Sequence, residues 1–87
     1  LLECVTANTA KLITENISIP TIGIGASKYC DGQVLVFDDL IKLSLNDKKP
    51  KFVKNYFNFN KVASNVVKKY NREVKLKKFP STKFTYN

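Results

Sequence analysis

Leu1-Leu2-Glu3-Cys4-Val5 is apolar on both alternating faces except at Glu3. Burial on both faces is the habit of strands in parallel sheets. Thr6 then reads as a helix N-cap. Ala10, Ile13 and Ile17 fall at i, i+3 and i+7, one face of a helix from about Ala7 to Asn16. Pro20 closes that unit, and Thr21-Ile22-Gly23-Ile24-Gly25 reads as a second short buried strand. Val34-Leu35-Val36-Phe37 reads as a third, ending in the acidic pair Asp38-Asp39. The order strand, helix, strand is a βαβ unit and predicts an α/β fold with a parallel sheet. Only eight residues, Ala26 to Gln33, separate the second and third strands, whereas a parallel crossover normally takes a dozen or more. Either the crossover helix shrinks to about one turn, or the third segment is not a simple neighbouring strand.

The second half of the chain is a different kind of segment. Residues 1–43 carry three lysines against five carboxylates, a net −2, while residues 44–87 carry 12 basic residues against Asp47 and Glu73, a net +10. Residues 44–50 form a polar connector, and Pro50 can sit in the first turn of a helix. Phe52, Val53, Tyr56 and Phe57 give that helix, about 51–57, an apolar face. After Asn58-Phe59-Asn60, the residues Val62, Ala63, Val66, Val67, Tyr70 and Val74 trace the stripe of a second amphipathic helix, about 60–77. Lys61, Lys68, Arg72 and Lys75 lie on its other face. Pro80 ends the helical region, and residues 81–87 read as a loose tail.

Composition removes several kinds of chemistry. The 87 residues include no His, so a Ser-His-Asp triad, a Cys-His pair and a His-ligated metal cannot form within the chain. Two cysteines, Cys4 and Cys30, make no disulfide framework and lack zinc-site spacing; they read as reduced cytosolic thiols. The longest uncharged run, 16–27, holds 12 residues including Pro20 and two glycines, short of the roughly 20 that a membrane helix needs. No basic-then-apolar leader can be read. The abrupt apolar opening, with no cap or turn before it, suggests a segment from inside a longer protein.

Three features invite functional readings. Gly23-Ile24-Gly25 follows a strand, but the third glycine of a dinucleotide fingerprint would fall at Lys28 and no long helix follows. These glycines read instead as places where backbone turns or comes close to a neighbour. The basic half could bind nucleic acid. Against that stand a single arginine, the residue of bidentate forks, and lysines that fit the solvated side of an amphipathic helix. Glu3 is the sharpest residue. A carboxylate within an apolar strand is disfavoured unless it is paired or sits at an opening, and the carboxyl ends of parallel strands are where ligands bind. Partial desolvation between Leu2, Cys4 and Val5 would raise its pKa and suit a general base. A salt-bridged or edge-exposed Glu is the other reading.

Four stretches resemble the ketopantoate hydroxymethyltransferase (3-methyl-2-oxobutanoate hydroxymethyltransferase) family. They are Leu1 to Val5; Ile19-Pro20-Thr21-Ile22-Gly23-Ile24-Gly25-Ala26; Cys30-Asp31-Gly32-Gln33-Val34-Leu35-Val36 with Asp38; and Pro50-Lys51-Phe52-Val53-Lys54. The likeness covers about residues 1–80 and follows the family's C-terminal part. It implies a TIM (β/α)8 barrel, which takes roughly 250 residues. Residues 1–43 would hold the last strands, six to eight, with their connecting helix, and residues 44–87 the basic C-terminal helical segment of the same domain. The implied activity is transfer of a one-carbon hydroxymethyl unit from methylenetetrahydrofolate to 2-oxoisovalerate, in the cytoplasmic pathway to pantothenate and coenzyme A. Glu3 matches the family's catalytic acid/base. A Mg2+ ion is implied, with its ligands in the N-terminal part; none is assigned here, Asp38 and Asp39 included. A homo-oligomer is implied, with neither nucleic acid nor membrane as partner. Thr6, Phe37 and Ile41 depart from the pattern, where Pro, His and Gly are usual. The alternatives are a related enolate enzyme of the phosphoenolpyruvate mutase and isocitrate lyase group, and a non-catalytic basic interaction module.

Overall fold

The structure, a computed structural model, describes residues 1–45 and 47–87; of the polar connector, Asn46 lies outside the described residues. The first half builds a three-stranded sheet in the order β1 (Leu2–Glu3), β2 (Ile22–Ile24), β3 (Gly32–Gln33), parallel throughout. Helix α1 (Ala7–Asn16) joins β1 to β2, as the apolar spacing predicts. The Thr6 hydroxyl caps it, accepting from the Thr9 N–H at 3.2 Å. Asn16 ends it by donating its amide to the Leu12 carbonyl at 2.7 Å.

The third strand is not where hydrophobicity predicts it. Gly32 pairs with Ile22 and Gly23 with Gln33, so Val34 to Val36 lie beyond the ladder except for the Val34 N–H bond to the Gly23 carbonyl, 3.0 Å. A side-chain staple sets this register. The Thr21 N–H donates to Asp31 Oδ2 at 2.8 Å, the Thr21 hydroxyl to the same oxygen at 3.2 Å, and the Asp31 N–H to Thr21 Oγ1 at 3.1 Å. With its own proton committed, the Thr21 oxygen also accepts from the Thr14 hydroxyl, 2.9 Å away, which ties α1 to the start of β2. Thr21 is buried, so the network satisfies a polar group that would otherwise be left without water. The staple also explains the short crossover. It clamps the two ends of residues 22–30 together, and the crossover contains no helix. Asp31→Ala is expected to destabilise the fold by about 1–3 kcal/mol by stranding the Thr21 amide. Asp31→Asn keeps an acceptor and should lose less; denaturant unfolding of both variants checks this.

Past β3 the chain makes one short helix, α2 (Phe37–Leu40), with Asp38 and Asp39 in its first turn where the helix dipole favours them. The helix expected over 51–57 does not form. Pro50 opens a single turn, closed by the Val53 N–H on the Pro50 carbonyl at 3.0 Å. The next backbone donors are then taken by distant acceptors: Tyr56 N–H by the Leu40 carbonyl at 2.7 Å, and Phe59 N–H by the Ile41 carbonyl at 2.9 Å. A helix over 51–57 would need the Tyr56 donor four residues back, at Phe52, whereas the Phe59 donor opens α3 and takes an acceptor from outside that helix.

Helix α3 (Phe59–Lys75) matches the second stripe. Asn58 caps it by accepting the Lys61 N–H at 3.2 Å. It ends in a Schellman motif. The Lys78 N–H reaches the Glu73 carbonyl at 2.8 Å and the Lys77 N–H the Val74 carbonyl at 3.0 Å, with Lys77 at φ 55° where glycine is usual. The tail is not loose as expected. Phe79 packs between Tyr70 and Phe84, at ring centroid distances of 5.6 and 5.8 Å, and Thr82–Phe84 makes a 3₁₀ turn.

The both-face burial expected of the first strand is not achieved within these residues. Leu1 is 82% exposed, Glu3 is exposed, and the buried apolar side chains among the described residues are Ala10, Cys30 and Val53. The radius of gyration is 21.8 Å, against roughly 12 Å for a compact domain of this length. Both outer edges of the sheet, β1 and β3, are open, and the apolar stripe of α3 is exposed at Val62, Val66, Val67 and Val74, while its Tyr70 meets Phe79. No described helix is long and apolar enough to cross a membrane.

Candidate active site

The three strands run parallel, so their carboxyl ends meet on one side. Glu3 ends β1, opposite Ile24 of β2. Cys4 follows with φ 56°, a left-handed conformation that non-glycine residues seldom adopt, while its N–H still bonds the Ile24 carbonyl at 3.0 Å. This turns the chain sharply at the strand end. β2 ends in the same manner at Gly25, φ 59°. At β3, the Gln33 side-chain amide donates to the Ser27 carbonyl at 2.7 Å and holds the loop after β2 against the neighbouring strand end.

A cavity of about 910 Å³ opens at these ends. Cys4, Gly25 and Gln33 contribute from the sheet, and Lys51, Phe52, Lys54 and Tyr56 from the segment expected to be helical. Phe52 is seated against Gly25: a Cβ at Gly25 would lie 2.5 Å from the Phe52 Cδ1, so the ring occupies the space that only glycine leaves. The Lys54 ammonium lies 4.7 Å from the Tyr56 ring centroid. The aromatics and lysines of this segment therefore share one wall and do not divide into an apolar and a solvated face. The irregular backbone at 51–57 is what places them there, with Asn55 donating to the Asp39 carbonyl as a further tie to α2. Asn55 and Asn58, poor helix residues on either side of Tyr56 and Phe57, are the sequence signal for a loop.

Glu3 sits at the strand end, as expected, but it is not part of the cavity lining and its side chain is exposed. The desolvation expected between Leu2, Cys4 and Val5 is not supplied by these residues, because β1 is an edge strand with nothing described on its outer side. Asp38 and Asp39 line a separate small cavity of about 100 Å³ with Lys42 and Lys49. Among the described residues no group of three or more His, Cys, Asp or Glu could hold a metal ion. The described residues do not fit an Mg2+ site.

The family model for ketopantoate hydroxymethyltransferase matches residues 1–82. The chain is 54% identical over 86 residues to the 3-methyl-2-oxobutanoate hydroxymethyltransferase of Thermosipho melanesiensis, covering 99% of this chain and 32% of the relative. The enzyme of the same name from Thermosipho africanus is 56% identical over 81 residues, 93% of this chain and 30% of the relative. That of Pelagibacter ubique is 50% identical over 86 residues, 99% and 33%. The chain thus spans about a third of the length of the curated relatives it matches. With the strand-end glycines, the acidic strand terminus and the Pro50-to-Lys54 turn all inside the matched range, the chain belongs to the ketopantoate hydroxymethyltransferase family.

Proposed function

We propose that this chain is the C-terminal third of a 3-methyl-2-oxobutanoate hydroxymethyltransferase, carrying strands six to eight of its barrel as β1 to β3. In this reading the whole protein joins the one-carbon unit of methylenetetrahydrofolate to 2-oxoisovalerate and forms ketopantoate for pantothenate synthesis in the cytoplasm. The observation that carries the proposal is the position of Glu3, at the carboxyl end of a parallel strand beside the cavity formed at the same ends. The Glu3 carboxylate takes the proton from the carbon next to the carbonyl. The electron pair released there attacks the folate-borne methylene carbon. Water supplies the hydroxyl oxygen; both C–N bonds of the methylene carbon break, and the two folate nitrogens keep those electron pairs and take up one proton from the substrate carbon, by way of Glu3, and one from water. Any Mg2+ ligands belong to the remaining two-thirds of the protein. Full-length protein should form ketopantoate from the two substrates and exchange the C3 proton of 2-oxoisovalerate into deuterated water. Neither product nor exchange would reject the assignment.

In the same reading the α3 stripe packs against the rest of the barrel or a second subunit of a homo-oligomer. Val66 is 62% exposed in the structure, so Val66→Asp should barely alter the 87-residue chain. In the full-length protein it should destabilise by about 2–4 kcal/mol, because it places a charge in apolar packing. Thermal melts of the full-length variant decide the point, and an unchanged midpoint would show the stripe is not covered.

A further inference from the structure

The cavity at the strand ends has a one-sided charge. Lys28, Lys51 and Lys54 line it together with Phe52 and Tyr56, and no carboxylate is among its lining residues. Among the described residues none of the three lysines makes an ion pair. The Lys54 ammonium lies over the Tyr56 ring and the Lys28 ammonium 5.7 Å from the Tyr29 ring centroid; three lysines along one cavity give it a positive field that favours an anion. Aromatic faces beside a cationic rim suit a ligand with a flat ring system at one end and carboxylates at the other. The arrangement is built by backbone contacts. The Pro50 turn presents Lys51, the Tyr56 N–H bond to the Leu40 carbonyl fixes Lys54 beside Tyr56, and the Gln33 bond to the Ser27 carbonyl fixes the loop that carries Lys28.

We infer that Lys28, Lys51 and Lys54 form the subsite for the glutamate carboxylates of the folate cosubstrate, with its ring system packed on Phe52 and Tyr56. The inference rests on the reading above that the one-carbon donor is a folate. It is tested on the full-length protein by calorimetric titration with tetrahydrofolate and with tetrahydropteroate, which keeps the rings and lacks the glutamate. Wild type should bind tetrahydrofolate at least about tenfold more tightly, the worth of roughly one charge-assisted hydrogen bond. That gap should shrink with added salt and close to within about twofold in Lys51→Gln/Lys54→Gln. Equal binding of the two compounds by wild type, or an undiminished gap in the double variant, overturns the subsite. So does a double variant that loses affinity for 2-oxoisovalerate while keeping the gap, since the lysines would then serve the oxo acid. Exchange of the C3 proton, measured alongside, separates the two levels. Exchange without folate discrimination overturns the subsite alone, whereas absent exchange overturns the enzyme reading as well.

Discussion

Glu3→Gln in the full-length protein is expected to lower turnover by about 10²–10⁴-fold, the usual contribution of a positioned general base. The amide keeps the size and hydrogen-bonding reach of the carboxylate but cannot take up a proton at neutral pH. The fold should be untouched, because among the described residues the Glu3 carboxylate makes no hydrogen bond to the sheet; the β1–β2 register is carried by backbone groups. Affinity for 2-oxoisovalerate should change little for the same reason. The informative measurement is loss of the C3 proton into deuterated water without folate present, which isolates proton abstraction from carbon transfer. Wild-type exchange rates in the variant would remove Glu3 from the chemistry. A fall in exchange matched by an equal fall in melting temperature would instead mark Glu3 as structural.

The place of Glu3 at the end of a strand was legible from the apolar run around it, without any knowledge of the fold. Helices α1 and α3 were legible for a comparable reason: their caps, Thr6 and Asn58, and their apolar spacings are local, within a few turns. The features that escaped a sequence reading are non-local. Val34 to Val36 have stronger strand character than Gly32-Gln33, yet the ladder forms at the weaker pair. The hydrogen bonds between Thr21 and Asp31, ten residues apart, outweigh side-chain propensity and set the register. Likewise Phe52, Val53, Tyr56 and Phe57 have helical spacing, but the Leu40 carbonyl captures the Tyr56 donor that a helix would use. One wall of the candidate site follows from that capture, since it brings Lys51, Phe52, Lys54 and Tyr56 to the strand ends. The missing burial of β1 has another physical origin. A strand apolar on both faces needs covering layers on both, and the chain spans about a third of its relatives.

Gly25→Ala is expected to destabilise the protein by about 2–5 kcal/mol and to damage the site at the same time. Two independent effects add. Alanine at φ 59° is strained by roughly 1–2 kcal/mol per residue in the left-handed region. Its methyl would also lie 2.5 Å from Phe52 Cδ1 and 2.6 Å from Cγ, so the ring must leave its seat, and overpacking of this kind costs about 1–3 kcal/mol. Neighbouring Val53 is buried, and its amide closes the Pro50 turn, so a displaced Phe52 pulls on the segment that carries Lys51 and Lys54. The KM for the folate should therefore rise more than the KM for 2-oxoisovalerate. The two effects can be separated with Phe52→Ala. In the double variant the steric part vanishes while the backbone strain stays, so the double should lose about 1–3 kcal/mol less than the sum of the singles. Denaturant unfolding of the four proteins gives that coupling directly. Strict additivity would mean that Phe52 does not rest on Gly25 in the folded protein and that the ring is not held in the cavity wall by that glycine.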